Sequence, residues 1–315
     1  MNWLAGVDEA GLGPILGPLV VGGALLAGPE GADPWQLLAA RVARHRQEKT
    51  KIRVADSKKV HQGRHGLLHL EQTVLTFFAA RHGDLPTTLA ELLALGGADL
   101  ERIRSCPWYS DLTLPIPHTA RRDELLLQGH LLAREMQRCS VELHELVFRP
   151  VEVAEFNAWI ADTDNKAKTH LRAYSEVIGR LIARIPPGGH LVADRAGGRM
   201  RYQRTLAQLV PGRRVAILSE DARASCYELS DANGKVRVTF AVEGEGRAFP
   251  TALASCIAKY VRESLLIVLN RWFCARVPGL APTAGYFVDG MRFLAEAGSL
   301  IEAEGFPRQM LVRAR

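Results

Sequence analysis

Three short apolar runs in this chain end in carboxylates, and that pattern constrains the fold more than any other feature. Residues 2–8 (NWLAGVD) are mostly apolar and are followed by Gly11, Gly13 and Pro14, which reads as a buried strand running into a turn. That strand delivers Asp8 and Glu9 to glycine-rich backbone able to approach a ligand closely. HLVAD (190–194) reads as a second buried strand ending on Asp194, and Glu245 follows a third run, in VEGEG. A core strand has no packing use for a terminal acid. Three such ends are what one edge of a sheet would need to gather carboxylates.

The remaining pattern supplies the rest of an α/β domain. Residues 18–27 (PLVVGGALLA) predict a strand that pairs with the first as a hairpin, and residues 34–46 and 64–81 have helical spacing. Residues 83–145 are less regular, apart from a helix over about 121–138, and read as an insertion. A helix over 167–184 stops at Pro186-Pro187-Gly188-Gly189. RRVAILSE (213–220) predicts a strand, and 226–242 an added β-hairpin turning at Asn233-Gly234. A long helix runs from Pro250 to about Phe273, and a last one covers 288–304. The order β-β-α…α-β-β…α predicts a single α/β domain over 1–315, with a mixed central sheet flanked by helices.

Composition excludes several classes of protein. With 47% hydrophobic and 23% charged residues the chain is ordinary globular material, not a disordered one. The five cysteines, 106, 139, 226, 256 and 274, are odd in number and form no C-x-x-C pair, which argues against a disulfide framework or a zinc site. No uncharged apolar run reaches membrane-spanning length, and the opening MNWLAGVDEAG lacks the basic region of a signal peptide; we expect a cytoplasmic protein away from membranes. Lys and Arg outnumber Asp and Glu by 40 to 34, a balance compatible with a polyanionic partner.

Clustered carboxylates suit hard divalent cations, because Mg²⁺ is held by a few carboxylates together with water and substrate phosphate. Two such ions roughly 4 Å apart can clamp both the attacking and the leaving oxygen of a phosphodiester. The competing reading is plain surface. The chain has 34 acids, and Asp123-Glu124 repeats the same dipeptide on an ordinary polar helix face. Residue type alone leaves Asp8-Glu9 open between the two.

GVDEAGLGPILGPLVVGGALL (6–26) resembles the opening signature of the ribonuclease HII family, in which a strand delivers an Asp-Glu pair into a Gly-x-Gly-Pro loop. ADSKKV (55–60), HLVAD (190–194), GEGRAFPTALASCIAKYVRE (244–263) and AGYFVDGMRFLAEAG (284–298) resemble later segments of that family, in its order. The resemblance implies a ribonuclease H-like fold and a metal-dependent endonuclease that leaves 5′-phosphates. Its substrate would be the RNA strand of RNA–DNA hybrids, or ribonucleotides embedded in DNA. It further implies that Asp8, Glu9, Asp194 and Glu245 hold Mg²⁺ or Mn²⁺ in a two-metal site. Gly11, Leu12 and Gly13 would surround the ribose 2′-hydroxyl, Lys58 and Lys59 would touch phosphates, and Tyr286 would stack on the sugar after the cut. Glu263 matches a further acid beside the site. In the surface and core readings Tyr286 is a packing residue and Lys58-Lys59 an ordinary exposed pair, and CPWYSD (106–111) forms a small satellite core.

The departures bear on substrate. Leu12 stands where the family has Arg, Glu245 where it usually has Asp, and Arg195 where it prefers Gly. Losing the Arg removes a charge and several donors from the loop that meets the ribose. Two other readings follow: a structure-selective nuclease indifferent to the 2′-hydroxyl, and an inactive relative that binds nucleic acid, or a protein through residues 83–145. The full set of four acids argues against the latter.

Overall fold

The computed structural model describes residues 1–315 except Arg46, Gln47, Lys49, Ala196 and Arg315. The chain begins with β1 (Asn2–Ala10) and β2 (Leu19–Gly28), an antiparallel pair as expected. After α1 (Pro34–Leu37), a small parallel ladder joins β3 (Val42–Ala43) to β4 (Ile52–Arg53). Then come α2 (Ser57–Val60), α3 (Gly66–His82), α4 (Leu89–Leu95), α5 (Leu100–Arg104), α6 (Arg122–Arg138) and strand β5 (Glu142–Val151). Helices α7 (Val153–Thr163) and α8 (Lys166–Ile182) lead to β6 (His190–Asp194), and α9 (Gln203–Leu209) to β7 (Arg214–Glu220), β8 (Ala224–Asp231) and β9 (Gly234–Ala241). The 26-residue α10 (Phe249–Cys274) is followed by α11 (Phe287–Glu296), α12 (Gly298–Ala303) and α13 (Arg308–Leu311).

The seven long strands form one mixed sheet in the order β5-β2-β1-β6-β9-β8-β7. β1, β6 and β9 are parallel neighbours, with Val7 opposite Ala193 and Asp194 opposite Ala241, so all three end at the same edge. Helices cover both faces. One apolar cluster joins the sheet to α10, α3 and α6, and the other joins it to α7, α8 and α9.

Packing on the α10 face is closest at two glycines. A Cβ built on Gly6 of β1 would lie 2.0 Å from the backbone nitrogen of Thr251, and one on Gly22 of β2 would lie 2.3 Å from the carbonyl oxygen of Ala254. The first turns of α10 therefore rest on sheet backbone, and Thr251 donates its hydroxyl to the Val192 carbonyl of β6 at 2.7 Å.

Several expectations shift. Within 34–46 only Pro34–Leu37 is helical, because Val42 and Ala43 pair with β4 instead; residue 46 lies outside the described residues. The 226–242 hairpin is part of a three-stranded meander with β7, and its two-residue connection is Ala232-Asn233, with Gly234 paired back to Asp231. The last helix breaks at Ala297 into α11 and α12. β5 begins inside the stretch read as an insertion, so the boundary near 145 cuts through the sheet's edge strand. Trp108 and Tyr109 are buried in the main core rather than a satellite one, the Trp108 ring lying 6.0 Å from that of Phe273. Buried Glu71 of α3 ties this stretch down by accepting from the backbone of His118, Thr119 and Ala120 and from the Tyr260 hydroxyl.

Gly6→Ala should cost about 3 kcal/mol, at the upper end for overpacking, since backbone rather than a mobile side chain blocks the new methyl. Urea unfolding measures it. A loss below about 1 kcal/mol would mean that α10 does not rest on β1.

Candidate metal centre

Near its end, between core residues Val7 and Ala10, β1 places two acids, Asp8 and Glu9. Successive strand residues face opposite sides of a sheet, so Asp8 and Glu9 are served by different layers. Ala5 and Val7 share the α8 face with Glu9, whereas Asp8 follows Gly6 on the α10 face. Despite this, carboxylate oxygens of Asp8, Glu9 and Asp194 come within 4.8 Å of one another at the strand ends. This is the crevice beyond the carboxyl ends of parallel strands where α/β sheets bind ligands.

Each acid has its own support. Asp8 is buried and accepts from the backbone N–H of Glu9 at 2.7 Å. Asp194 accepts from the N–H of Gly244 at 2.8 Å, which ties β6 to the turn carrying Glu245. That turn opens at Glu243, a non-glycine residue with φ of 54°, a strained conformation of the kind found near functional sites. Glu9 accepts a close hydrogen bond from the Tyr174 hydroxyl, and His170 Nε2 lies 3.6 Å from its Oε2. Both come from α8, one helical turn apart.

The electrostatics separate these groups. Burial, then the charges of Glu9, Asp194 and Glu245, hold the Asp8 carboxyl well above its usual range. Asp194 is pushed to about 7, mainly by burial, with Glu245 and Glu9 adding to it against the Gly244 N–H. Glu9 goes the other way: burial opposes its ionisation, but the nearby His170 imidazole and the hydrogen bond from the Tyr174 hydroxyl pull it below the usual value.

The residues fit a hard cation. The donors are all carboxylate oxygens, their mutual repulsion is what a divalent ion would relieve, and the buried Oε2 of Glu245 has no hydrogen-bond partner. Glu245 is not one of the three acids within 4.8 Å, though its charge raises both Asp8 and Asp194.

No family model matches the sequence, and no curated protein matches it. Solved structures do. They include ribonucleases HII and HIII. Ribonuclease HII of Archaeoglobus fulgidus, solved in complex with PCNA, is 16% identical over 99% of this chain and 94% of that one, with a TM-score of 0.43. Ribonuclease H2 of Pyrococcus horikoshii is 15% identical over 98% and 92%, with a TM-score of 0.46. Bst-RNase HIII with Mn²⁺ is 14% identical over 99% of this chain and 66% of that one, with a TM-score of 0.41. The first two of these structures are of the family that the sequence resemblance named. None of the helices formed by the described residues is long and apolar enough to cross a membrane.

The other expected site residues fall in three places. Gly11, Leu12 and Gly13 follow β1 directly; a Cβ on Gly13 would meet nothing within 4 Å, so that side of the loop is open. Leu12 packs against the apolar cluster on the α8 face. Tyr286, 55% exposed, stands beside this loop, because the neighbouring Gly285 carbonyl accepts from the N–H groups of Ile15 at 2.8 Å and Leu16 at 3.1 Å. Lys58 and Lys59 are exposed on α2, which is fixed to α10 by the Ser57 N–H donating to Ser255 Oγ at 3.0 Å. Glu263 pairs with Lys259 at 2.8 Å and with Arg262 at 3.0 Å. Arg195, following the third acid, turns away from it and donates to the carbonyls of Ala222 and Asp221 and to Ser225 Oγ.

His170 and Tyr174 escaped sequence reasoning. Their signal was a polar pair at i and i+4 on the buried face of a helix, which has meaning only once Glu9 is known to lie opposite.

The raised acids set the pH response of the metal-free protein. A carboxyl whose folded pKa exceeds its unfolded value of about 3.9 destabilises progressively as pH rises through that interval. With Asp194 at about 7 and Asp8 also raised, stability in chelator should fall as pH rises from about 4, the Asp194 share of the fall being complete above about pH 7. Asp194→Asn should flatten that fall and raise the melting temperature at pH 8, as read by thermal unfolding. An unchanged pH profile would mean that burial and the neighbouring charges do not raise Asp194 as described.

Proposed function

We propose that the protein is a metal-dependent endonuclease that hydrolyses the RNA strand of RNA–DNA hybrids, or ribonucleotides embedded in DNA. The observation that carries this is the meeting of the Asp8, Glu9 and Asp194 carboxylates at the ends of two parallel strands, directly before an open glycine loop. The sequence resemblance adds the substrate class.

In this reading Asp8, Glu9, Asp194 and Glu245 would hold one or two Mg²⁺ or Mn²⁺ ions. When bound, such ions polarise a phosphoryl oxygen and acidify the attacking water. The chain's own work is positional. Tyr174 and His170 orient Glu9, and the Gly244 N–H orients Asp194. The open side of Gly13 lets loop backbone approach the sugar, and Tyr286 offers a ring to stack on the next one. Lys58 and Lys59 place positive charge for phosphates without reading sequence.

Three labelled duplexes test the proposal: an RNA–DNA hybrid, DNA with one ribonucleotide, and plain DNA, each with Mg²⁺ or Mn²⁺. We expect cutting only in ribose-containing strands, loss of cutting in chelator, and a loss of more than about a hundredfold in Asp8→Asn, since even residues that merely orient a metal ligand cost 10–100-fold. No cutting of any duplex would sink the reading.

One observation favours a second reading. Leu12 is packed on the apolar cluster of the α8 face and offers no donor to a ribose, which suits a nuclease indifferent to the 2′-hydroxyl. Leu12→Arg separates the two. A large gain on ribose-containing strands would identify a lost sugar contact. Equal cutting of plain DNA by both proteins would favour the second reading.

A further inference from the structure

The loop Gly11-Leu12-Gly13-Pro14-Ile15-Leu16-Gly17 contains no side chain able to form a hydrogen bond. Its shape therefore depends on what holds its backbone from outside. Gly11 and Gly17 have φ of +93° and +76°, so both ends of the loop use left-handed backbone, and the span between them needs external support.

Much of that support comes from one distant residue. Arg313, only 3% exposed, donates its backbone N–H to the Ile15 carbonyl at 2.9 Å. Its guanidinium donates through Nη1 to the Gly11 carbonyl and through Nη2 to the Gly17 carbonyl at 2.7 Å. The middle and both ends of the loop are thus tied to a single side chain and its peptide. The segment bearing Arg313 is itself fixed: Asn157 of α7 donates to the carbonyls of Gln309 and Val312, each at 2.8 Å, and accepts from the Ala314 N–H at 2.7 Å. Arg262 of α10 completes the frame by donating to the Ala284 carbonyl at 3.2 Å, next to the Gly285–Tyr286 segment.

A buried guanidinium is an expensive way to fill space. Its planar fork, however, reaches two carbonyls through two nitrogens held apart in a fixed plane, a geometry that the single nitrogen of a lysine does not reproduce. We propose that Arg313 is a positioning residue of the nuclease site, holding the Gly11–Gly17 backbone in the shape that meets the substrate sugar. The substrate half of this rests on the function proposed above; the loop half does not. Burial and the charge of Arg262 push the Arg313 guanidinium down to about 9, with buried Glu152 pulling the other way.

The test compares wild type with Arg313→Met, which keeps the bulk and removes the donors, and Arg313→Lys, which keeps the charge and one contact. Amide hydrogen exchange is measured over residues 11–17 and over β2. We expect the Ile15 and Leu16 amides to exchange about tenfold faster or more in Arg313→Met, as loss of charged hydrogen bonds implies. Arg313→Lys should be intermediate and β2 unchanged. On ribose-containing duplexes KM should rise more than kcat falls, with partial rescue by Lys.

Unchanged loop exchange, or an equal rise in β2, would overturn the positioning role. If Arg313→Met does not fold, Arg313→Lys decides on the same two readings. A wild type that cuts nothing would refute the proposed function and with it the substrate half, while the exchange data would still decide the loop half.

Discussion

The absence of side chains at Gly6 and Gly22 lets α10 lie against the backbone of β1 and β2, and the distance of the Glu245 turn and the Lys58-Lys59 helix from Asp8 depends on that contact. A helix normally stands off a sheet by the side chains packed between the two layers. Here side chains are missing at two points, so α10 touches the backbone of β1 and comes close enough to β6 for Thr251 to bond to Val192. The turn bearing Glu245 leads straight into α10, and α2 is bonded to the same helix at Ser255. Moving α10 outward would carry the Glu245 turn and the Lys58-Lys59 helix away from Asp8 together.

The acids show how a sheet edge can hold charges that oppose each other. Asp8 and Asp194 are both raised by burial and by their neighbours, whereas Glu9 is lowered because α8 brings His170 and Tyr174 to it. The alternation of β1 makes this division possible. One strand delivers two adjacent acids, and each is served by a different helix layer. An arrangement that stabilised all the carboxylates equally would leave less repulsion for a cation to relieve. In the proposed reading, the unequal support gives Glu9 a fixed orientation and leaves Asp8 and Asp194 dependent on the metal.

Features legible in the sequence were those with a local cause. A short apolar run ending in an acid before glycine is contained within ten residues, so β1 and β6 and their carboxylates could be read directly, and the apolar spacing of α10 nearly gave its bounds. Residues 34–46 failed because helical spacing competes with pairing to a strand some ten residues away, and the tertiary partner won over Val42 and Ala43. β5 was missed because ELHELVFRPV lacks strict alternation, and it lies in a stretch whose irregularity suggested an insertion. The support of the site was illegible for a deeper reason. Tyr174 meets Glu9 across 165 positions and Arg313 meets Gly11 across 302, and no periodicity encodes such a meeting.

The same distance bears on how the glycine loop should be judged. Leu12 looks at first like a simple loss, since the resemblance expects an arginine at that position. The loop is nonetheless close to two guanidinium groups, because Arg313 and Arg262 approach its backbone from the buried side. They bind carbonyls that face the interior, so they cannot offer the same donors to a substrate, but they stiffen the peptide that would. Affinity gained through rigid backbone needs less ordering on binding than affinity gained through a long side chain. A loop held this way would meet a sugar through peptide groups and shape, and Leu12 can then pack on the apolar cluster without disturbing that surface.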